Sequence, residues 1–515
     1  MKIVNHRDSL FLLIILAVFV CLFSYIFNPK IDLNGDNCDY YMLATSLATG
    51  HGYSNISDPA YPAINSFPPG YPLLMAPLRV ITDSFIAQKI MNGFFLLISI
   101  VFLYFYMKRA NKPDSLAFVV SVFMLMNVRL LHFATMMMSE MSFLMTSVLV
   151  LFFIAKMEEE KPFYKDKWFY MMLIALVFNY HIRTQGITLL AAVTIFFMIK
   201  KQWKQSLATV LGFIIGLLPY LIRNKIQGLG QSRYLDTIAL ANPWRPEEGT
   251  LSLEQVVERF FDTLGMLVSK ALPNSVFPFV DVDYAPDNTA GIGLWFLGIA
   301  LIVVIVYGFW QFKTSRWLLL FYTVFTFGLI SIFSTPSGNR YLTGILPILT
   351  MGEIVGIYSL FVKLLQKISL PMRWAPYPLL LIGGLAITPI KLLHAENSMQ
   401  FPNNYINFFQ IGTIVRQQLP STVKVASRKP SLFYMYSRTL VCGFPYKEDT
   451  KEFLKEMIKS DADFVVLDQL GYSATYLYLY PAIQRYPDVF EPVGCIKDPD
   501  TYLIRINKNE AQKHL

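Results

Sequence analysis

Long apolar runs, separated by short polar segments, make up most of the chain. A run of about 20 apolar residues is long enough to cross a bilayer as one helix. On that length the pattern predicts about 11 transmembrane helices, two of which form a short pair interrupted at Arg183. The predicted spans are 10–27, 86–107, 116–133, 141–155, 168–180, 187–199, 207–222, 291–312, 317–333, 341–362 and 377–393.

The polar stretch 30–77, between the first two spans, carries the best candidate chemistry. Asp36 and Asp39 lie near its start, and apolar residues then recur at helical spacing. A proline-rich cluster, 67–72, follows before the second span. A pair of carboxylates beside a helix that can lie on a membrane surface indicates a functional site at that surface.

The pattern changes after residue 397, where short β-branched runs alternate with helical patterns. This alternation predicts a small α/β domain outside the membrane. We therefore predict a membrane domain, 1–397, with outer loops 29–85 and 223–290, and an extracytoplasmic domain, 398–515. The predicted strands are 423–426, 440–442, 464–467 and 502–506, and the predicted helices are 431–436, 450–459 and 474–485.

Composition agrees with a polytopic membrane protein, since 54% of the residues are hydrophobic and 15% are charged. Basic residues collect in loops on one side of the predicted spans, which the positive-inside rule assigns to the cytoplasm. The N-terminus is then cytoplasmic, and stretch 30–77 and the C-terminus face outward. This topology accounts for the net charge of +9, so no nucleic-acid partner is expected. The basic residues on that side are Lys2, Arg7, Lys108, Arg109, Lys112, Lys161, Lys165, Lys200, Lys201, Lys204, Lys313, Arg316, Lys363, Lys367 and Arg373.

The cysteines and histidines show no spacing typical of a metal site. Of the four cysteines, Cys442 and Cys495 fall in the same predicted domain. They fit either a disulfide or two buried thiols, and the sequence leaves both readings open.

An outward loop with the motif GD-x-x-x-Y, followed by an amphipathic helix, resembles the GT-C glycosyltransferases. Within them it is most similar to the branch of protein O-mannosyltransferases and lipid A aminoarabinose transferases. The resemblance implies transfer of a sugar from a polyprenyl-phosphate donor to a glycan, lipid or protein acceptor at the outer face of a bacterial inner membrane. The matching pieces are 35–40, 67–72, Ser139-Glu140, Arg183 before Gln185-Gly186, Pro219 with Arg223-Asn224, and Arg340-Tyr341 with Pro347.

The resemblance also implies roles for single residues. The key acid of the first outer loop corresponds to Asp36, with Asp39 as a helper or an alternative. Arg183, Arg340 and Arg223 are the candidates for holding the donor phosphate, because an arginine fork suits phosphate oxygens. Two further candidates for substrate binding follow from the same motifs, namely Glu140, which holds acceptor or metal, and Tyr341.

No cofactor is assigned with certainty, and a divalent metal is left open. Some members of the family carry a glutamate just before the proline cluster, where this chain has Asn65, Ser66 and Phe67. That departure argues against a metal site of the same kind.

Other readings remain open. Asp36 can instead cap a helix, with Asp39 favouring its dipole. A transporter or flippase of lipid-linked sugars is the alternative function, and Glu353 in the middle of a span is the residue that fits it. A polysaccharide polymerase is a third reading.

Overall fold

The computed structural model of this chain describes most of its residues. The described ranges are 6–33, 35–158, 161–230, 238–242, 248–277, 279–285, 288–333, 340–365 and 375–515. Residues outside these ranges include Lys2, Lys367 and Arg373, and the segment 334–339 between two of the predicted spans.

The helices are numbered here in chain order. The first ten are α1 (His6–Ile26), α2 (Asp36–Ala48), α3 (Gly70–Ile81), α4 (Phe85–Arg109), α5 (Asp114–Leu125), α6 (Val128–Ala134), α7 (Glu140–Lys156), α8 (Lys167–Ile182), α9 (Ile187–Ile199) and α10 (Trp203–Ile226). The next seven are α11 (Leu253–Met266), α12 (Leu272–Val276), α13 (Ile292–Trp310), α14 (Arg316–Ile332), α15 (Leu346–Leu365), α16 (Leu380–Gly383) and α17 (Ile387–Ser398). The last five are α18 (Asn403–Gln418), α19 (Pro430–Ser437), α20 (Thr450–Lys459), α21 (Tyr480–Arg485) and α22 (Lys508–His514).

The chain forms two compact units, which are described separately. The first unit contains Met1–Lys30, Asn65–Leu74 and Ser84–Ser398. The second unit contains Ile31–Ile64, Met75–Asp83 and Met399–Leu515. The C-terminal segment thus shares its unit with most of the polar stretch that carries Asp36 and Asp39.

The first unit is a bundle of apolar helices, as expected of a multi-pass membrane protein. Within the described residues, six helical stretches are long and apolar enough to cross a membrane, or seven if the bent pair α5 and α6 is one span. Each of the 11 predicted spans falls on one or more of the helices, but α7, α8, α9 and α14 are shorter than that length. A count of 11 crossings is therefore not confirmed.

Polar side chains buried between the helices fix how the first unit packs. Asn179 of α8 donates from Nδ2 to the Phe143 carbonyl at 3.0 Å and to the hydroxyl oxygens of Thr146 and Ser147 at 2.8 and 3.0 Å. All three partners lie on α7. Because an unpaired amide is costly in an apolar interior, these bonds set the register of α8 against α7.

The second unit is built on a five-stranded sheet within the described residues, in the order β2-β1-β3-β5-β4. The strands are β1 (Lys424–Ala426), β2 (Leu440–Cys442), β3 (Phe464–Leu467), β4 (Phe490–Ile496) and β5 (Thr501–Ile506). The first three are parallel to one another, and β5 and β4 are antiparallel additions.

The four predicted strands are confirmed to within a residue, and β4 was missed. This edge strand contains Pro492 and Gly494, which weaken a strand pattern, and its register shifts between them. Cys442 and Cys495 are both free thiols, so the predicted alternative of a disulfide is wrong.

The stretch after the first span supplies α2 to the second unit. Arg79 contacts two residues of this helix. Its Nε donates to Thr45 Oγ1 at 3.0 Å, and its guanidinium lies 4.2 Å from the centre of the Tyr41 ring. Tyr41 in turn donates its hydroxyl to the Asp83 carbonyl at 2.8 Å. The predicted helix after Asp36 is therefore confirmed, and its position is set by buried polar contacts.

Candidate functional site

Glu140 is the first residue of α7, where a negative side chain is favoured by the helix dipole. The turn before it is anchored by Asn92 of α4, whose Nδ2 donates to the Met138 carbonyl at 2.9 Å. Tyr71, from the proline-rich cluster, donates its hydroxyl to Asn92 Oδ1 at 3.2 Å. A chain of buried hydrogen bonds thus runs from this cluster to the turn that places Glu140.

Arg183 follows the last residue of α8 in an extended conformation, with φ at −145°. The helix end beside it is held by close packing, because a Cβ on Gly70 would lie 2.6 Å from the His181 carbonyl carbon. Only glycine allows such an approach of two backbones. Within the proline-rich cluster 67–72, helix α3 begins at Gly70, and this close approach supports the segment that presents Arg183.

Glu140 brings two guanidinium groups together. Its Oε1 lies 3.0 Å from Arg183 Nη1 and accepts a hydrogen bond of 2.8 Å from Arg340 Nε. The carboxylate is 2% exposed, whereas both arginine side chains keep part of their surface in solvent. Arg183 Nη1 also donates to Ser139 Oγ at 3.0 Å.

Tyr341 completes this cluster. The Arg183 guanidinium lies 5.8 Å from the centre of its ring, within the range of a cation–π contact. The Tyr341 carbonyl accepts a hydrogen bond of 3.2 Å from Gln185 Nε2, and its ring stacks on Phe333 at 6.0 Å. Four of the predicted site residues therefore meet in the first unit, although they are distant in sequence.

The cluster has the features of an anion site. The carboxylate fixes the direction of both guanidinium groups, which lose less side-chain entropy on binding when they are held in advance. A planar guanidinium held in this way has the geometry that suits the oxygens of a phosphate.

Arg223, the third arginine predicted to hold the donor phosphate, lies in the last turn of α10. Its Nη1 donates to Asn224 Oδ1 at 2.8 Å, a neighbour from the same predicted motif. A role for Arg223 in phosphate binding stays a prediction.

Asp36 and Asp39 lie in the first turn of α2, in the second unit. The residue at the N-cap is Gly35, whose φ of +102° is unfavourable for other residues, so the alternative in which Asp36 caps the helix is wrong. Between the two acids, burial raises the pKa of the Cys38 thiol well above its usual value, and nearby Asp39 adds to this shift. The thiol is therefore neutral and is not a competing nucleophile at pH 7.

Two residues near Asp39 were not found from the sequence. Ser431 Oγ donates a short hydrogen bond to Asp39 Oδ1. Lys429 Nζ donates to the Leu33 carbonyl at 2.5 Å, just before the turn that begins α2. Lys429 immediately precedes α19 and Ser431 lies in the first turn of that helix, both almost 400 positions later in the chain. Neither carries a motif, and only the folded chain shows that they contact the acidic turn.

The described residues offer no donor set for a metal. In that part of the chain, no group of three or more His, Cys, Asp or Glu residues lies close enough together to hold an ion. Glu140, predicted to hold acceptor or metal, instead binds two guanidinium groups, whose charge repels a divalent cation.

Comparison with known proteins shows the fold. No family model and no curated protein matches the sequence. Among solved structures, the chain is similar to ArnT from Cupriavidus metallidurans bound to undecaprenyl phosphate, with a TM-score of 0.59 and 11% identity over 96% of this chain and 97% of that one. It is also similar to the archaeal oligosaccharyltransferase AglB from Archaeoglobus fulgidus in complex with an inhibitory peptide and a dolichol-phosphate, with a TM-score of 0.58 and 11% identity over 98% of this chain and 75% of that one.

A further structure of the Archaeoglobus fulgidus oligosaccharyltransferase, in complex with Zn and sulfate, has a TM-score of 0.56 and 14% identity over 96% of this chain and 73% of that one. Identities this low show a shared fold. The GT-C fold implied by the sequence resemblance is therefore confirmed.

Proposed function

We propose that this chain is a membrane glycosyltransferase that moves a sugar from a polyprenyl-phosphate donor to an acceptor on the extracytoplasmic face of a bacterial inner membrane. The observation that carries the proposal is that Glu140 holds two guanidinium groups, those of Arg183 and Arg340, side by side. Undecaprenyl phosphate bound to ArnT, a protein of the same fold, supports the donor class.

Arg183 and Arg340 hold the donor phosphate in this proposal. Their planar forks contact its oxygens in pairs and neutralise the charge that develops when the sugar leaves. Glu140 is a positioning residue, because it contacts both guanidinium groups, and the guanidinium groups contact the phosphate. The ring of Tyr341 keeps Arg183 in place. Arg223 is a further candidate for contacting the same phosphate.

Asp36 accepts the proton that the acceptor loses, with Asp39 as helper or alternative. The acceptor oxygen or nitrogen attacks C1 of the sugar, and the bond from C1 to the phosphate oxygen breaks with its electron pair going to the phosphate. One displacement of this kind inverts the configuration at C1. The lipid phosphate is a good leaving group, so a base is needed and a strong general acid is not.

The test uses the purified full chain in nanodiscs, incubated with a panel of prenyl-phosphate sugars and candidate acceptors. We expect release of prenyl phosphate with one donor, and a product of inverted configuration. Movement of the lipid-linked sugar across a vesicle membrane without release would instead establish the transporter alternative. Failure of every donor to release prenyl phosphate would reject the transferase.

Glu353 is the observation that favours the transporter. It lies within α15, is fully buried, and neither of its carboxyl oxygens accepts a hydrogen bond from the described residues. A buried carboxyl in a membrane span is costly and is often functional. A Glu353→Gln variant that keeps full release of prenyl phosphate would remove this residue from the mechanism.

A further inference from the structure

The second unit contains a cluster of polar residues at the carboxyl ends of its parallel strands. Strand β1 pairs with β2 on one side and with β3 on the other, so the chain order reverses between β1 and β3. In open α/β sheets, ligands bind outside the carboxyl ends of the strands at such a switch point. Ser427, Arg428 and Lys429 follow β1 there, and Asp468 follows β3.

Two buried side chains in this cluster have unused hydrogen-bonding capacity. Asp468 is fully buried, and its Oδ1 accepts from the Leu470 amide at 3.0 Å and from Thr475 Oγ1 at 3.5 Å. Its Oδ2, and Oγ of the equally buried Ser427, form no hydrogen bond with any described residue. Buried polar atoms are normally paired, so these two atoms indicate a missing partner.

Two cations act on the Asp468 carboxylate, and both also lie over one aromatic ring. The Arg428 guanidinium lies 4.8 Å and Lys429 Nζ lies 4.9 Å from the centre of the Tyr472 ring. Burial is the main cause that raises the pKa of Asp468 to about 6, and the charges of Arg428 and Lys429 only partly offset it. The carboxylate is thus poorly compensated and can accept a further donor.

The chemistry of the cluster selects among ligands. The missing partner of Asp468 Oδ2 must donate a proton, which excludes a carboxylate or a phosphate at that atom. An ammonium group would be repelled by Arg428 and Lys429. A neutral hydroxyl is the donor that remains, and a ligand with neighbouring hydroxyls can pair with Asp468 and Ser427 while its oxygens accept from Arg428.

We infer that this cluster binds the hydroxyl groups of a neutral carbohydrate acceptor, next to the acidic turn of α2. The inference rests on the proposed glycosyl transfer and selects a glycan among its acceptors. The chain that follows β1 connects this polar cluster to the acidic turn of α2, because Lys429 bonds to the Leu33 carbonyl and Ser431 bonds to Asp39. Ser431 is then a positioning residue that orients the Asp39 carboxylate.

The first test measures binding without transfer. Neutral methyl glycosides of glucose, galactose and mannose are added to the full chain in nanodiscs and followed by saturation-transfer NMR. We expect saturation of at least one sugar, and a Kd about tenfold higher in Asp468→Asn and in Ser427→Ala. Asp461→Asn is the matched control, since Asp461 is exposed, pairs with Lys508 and precedes β3 at the opposite edge of the sheet. Equal binding in all variants would overturn the inference, as would a preference for methyl 2-amino-2-deoxyglycosides.

The second test uses transfer and separates the two proposals. We expect Ser431→Ala to lower kcat more than it raises KM for the sugar acceptor, and Ser431→Thr, which keeps the hydroxyl, to restore kcat. If the chain releases prenyl phosphate, and Asp468→Asn and Ser427→Ala bind sugar as well as wild type does, the carbohydrate site is rejected and the transferase is retained. If sugar binding depends on Asp468 but no donor releases prenyl phosphate, the transferase is rejected and the carbohydrate site is retained. If Asp468→Asn does not fold, Ser427→Ala decides, because it removes only a hydroxyl.

Discussion

Glu140 in the first unit and Asp468 in the second are both buried carboxylates at the end of a secondary-structure element, but their surroundings differ. Glu140 binds two guanidinium groups through one oxygen, whereas the described hydrogen bonds of Asp468 come from an amide and a hydroxyl. A carboxylate that is compensated by two cations orients those partners. A poorly compensated one keeps the capacity to accept a proton donor from a ligand.

Asp36 and Asp39 extend this comparison to carboxylates that are only half-buried. They lie at the start of α2, and the hydroxyl of Ser431 holds one of them. Glu140 lies between two guanidinium groups and serves to place them. The acids of the second unit are the ones that we propose for proton transfer.

The largest expected effect is that of Asp36→Asn. If Asp36 is the base, the variant lowers kcat/KM for transfer by about 10²–10⁴-fold, the usual contribution of general base catalysis. Prenyl phosphate release measures this directly. Asp58→Asn, in the same polar stretch, is the control, and full activity of Asp36→Asn would move the assignment to Asp39 or reject it.

Glu140→Gln tests the compensated carboxylate. Removing its charge leaves Arg183 and Arg340 next to each other in a partly buried place, and we expect a loss of about 3 kcal/mol in the free energy of unfolding. Thermal unfolding in nanodiscs measures it. Glu510→Gln, in the exposed pair with Lys513, should leave stability unchanged. An unfolding curve of Glu140→Gln that matches wild type would contradict the structural role.

The pH dependence of stability tests the poorly compensated carboxylate. The pKa of Asp468 is about 6 in the folded chain and near 4 in an unfolded chain, so between these values the folded state binds more protons. The contribution of Asp468 to the free energy of unfolding is then greatest below pH 4. It falls by on the order of 2 kcal/mol as the pH rises to 6. We expect Asp468→Asn to remove this slope. A slope that survives the substitution would belong to another group.

Arg340→Lys gives the smallest expected effect. Lysine keeps the charge but loses the fork, so KM for the donor should rise about tenfold with little loss of stability. Arg109→Lys, at the end of α4, is the control for a general effect of the exchange. A donor KM that is unchanged in both Arg340→Lys and Arg183→Lys would contradict the phosphate site.

Sequence patterns alone predicted most elements of both units. The apolar runs fell on helices, and four strands of the second unit were placed to within a residue, because burial imposes the periods of helix and strand directly on the sequence. The edge strand β4 was not predicted, because burial does not impose an alternating pattern on an exposed strand that contains Pro492 and Gly494. The charged residues of the first unit were singled out by the resemblance to a known family, through the motifs that contain them.

The tertiary structure alone decided what these residues do together. Glu140 was predicted to hold acceptor or metal, and folding placed it against Arg183 and Arg340, which lie 43 and 200 positions away. The contact of Ser431 with Asp39 spans 392 positions. Contacts over such separations come from packing of the whole chain, which leaves no local period in the sequence. The sequence therefore determined which groups were available, and the fold decided which of them are paired with each other and which remain open to a ligand.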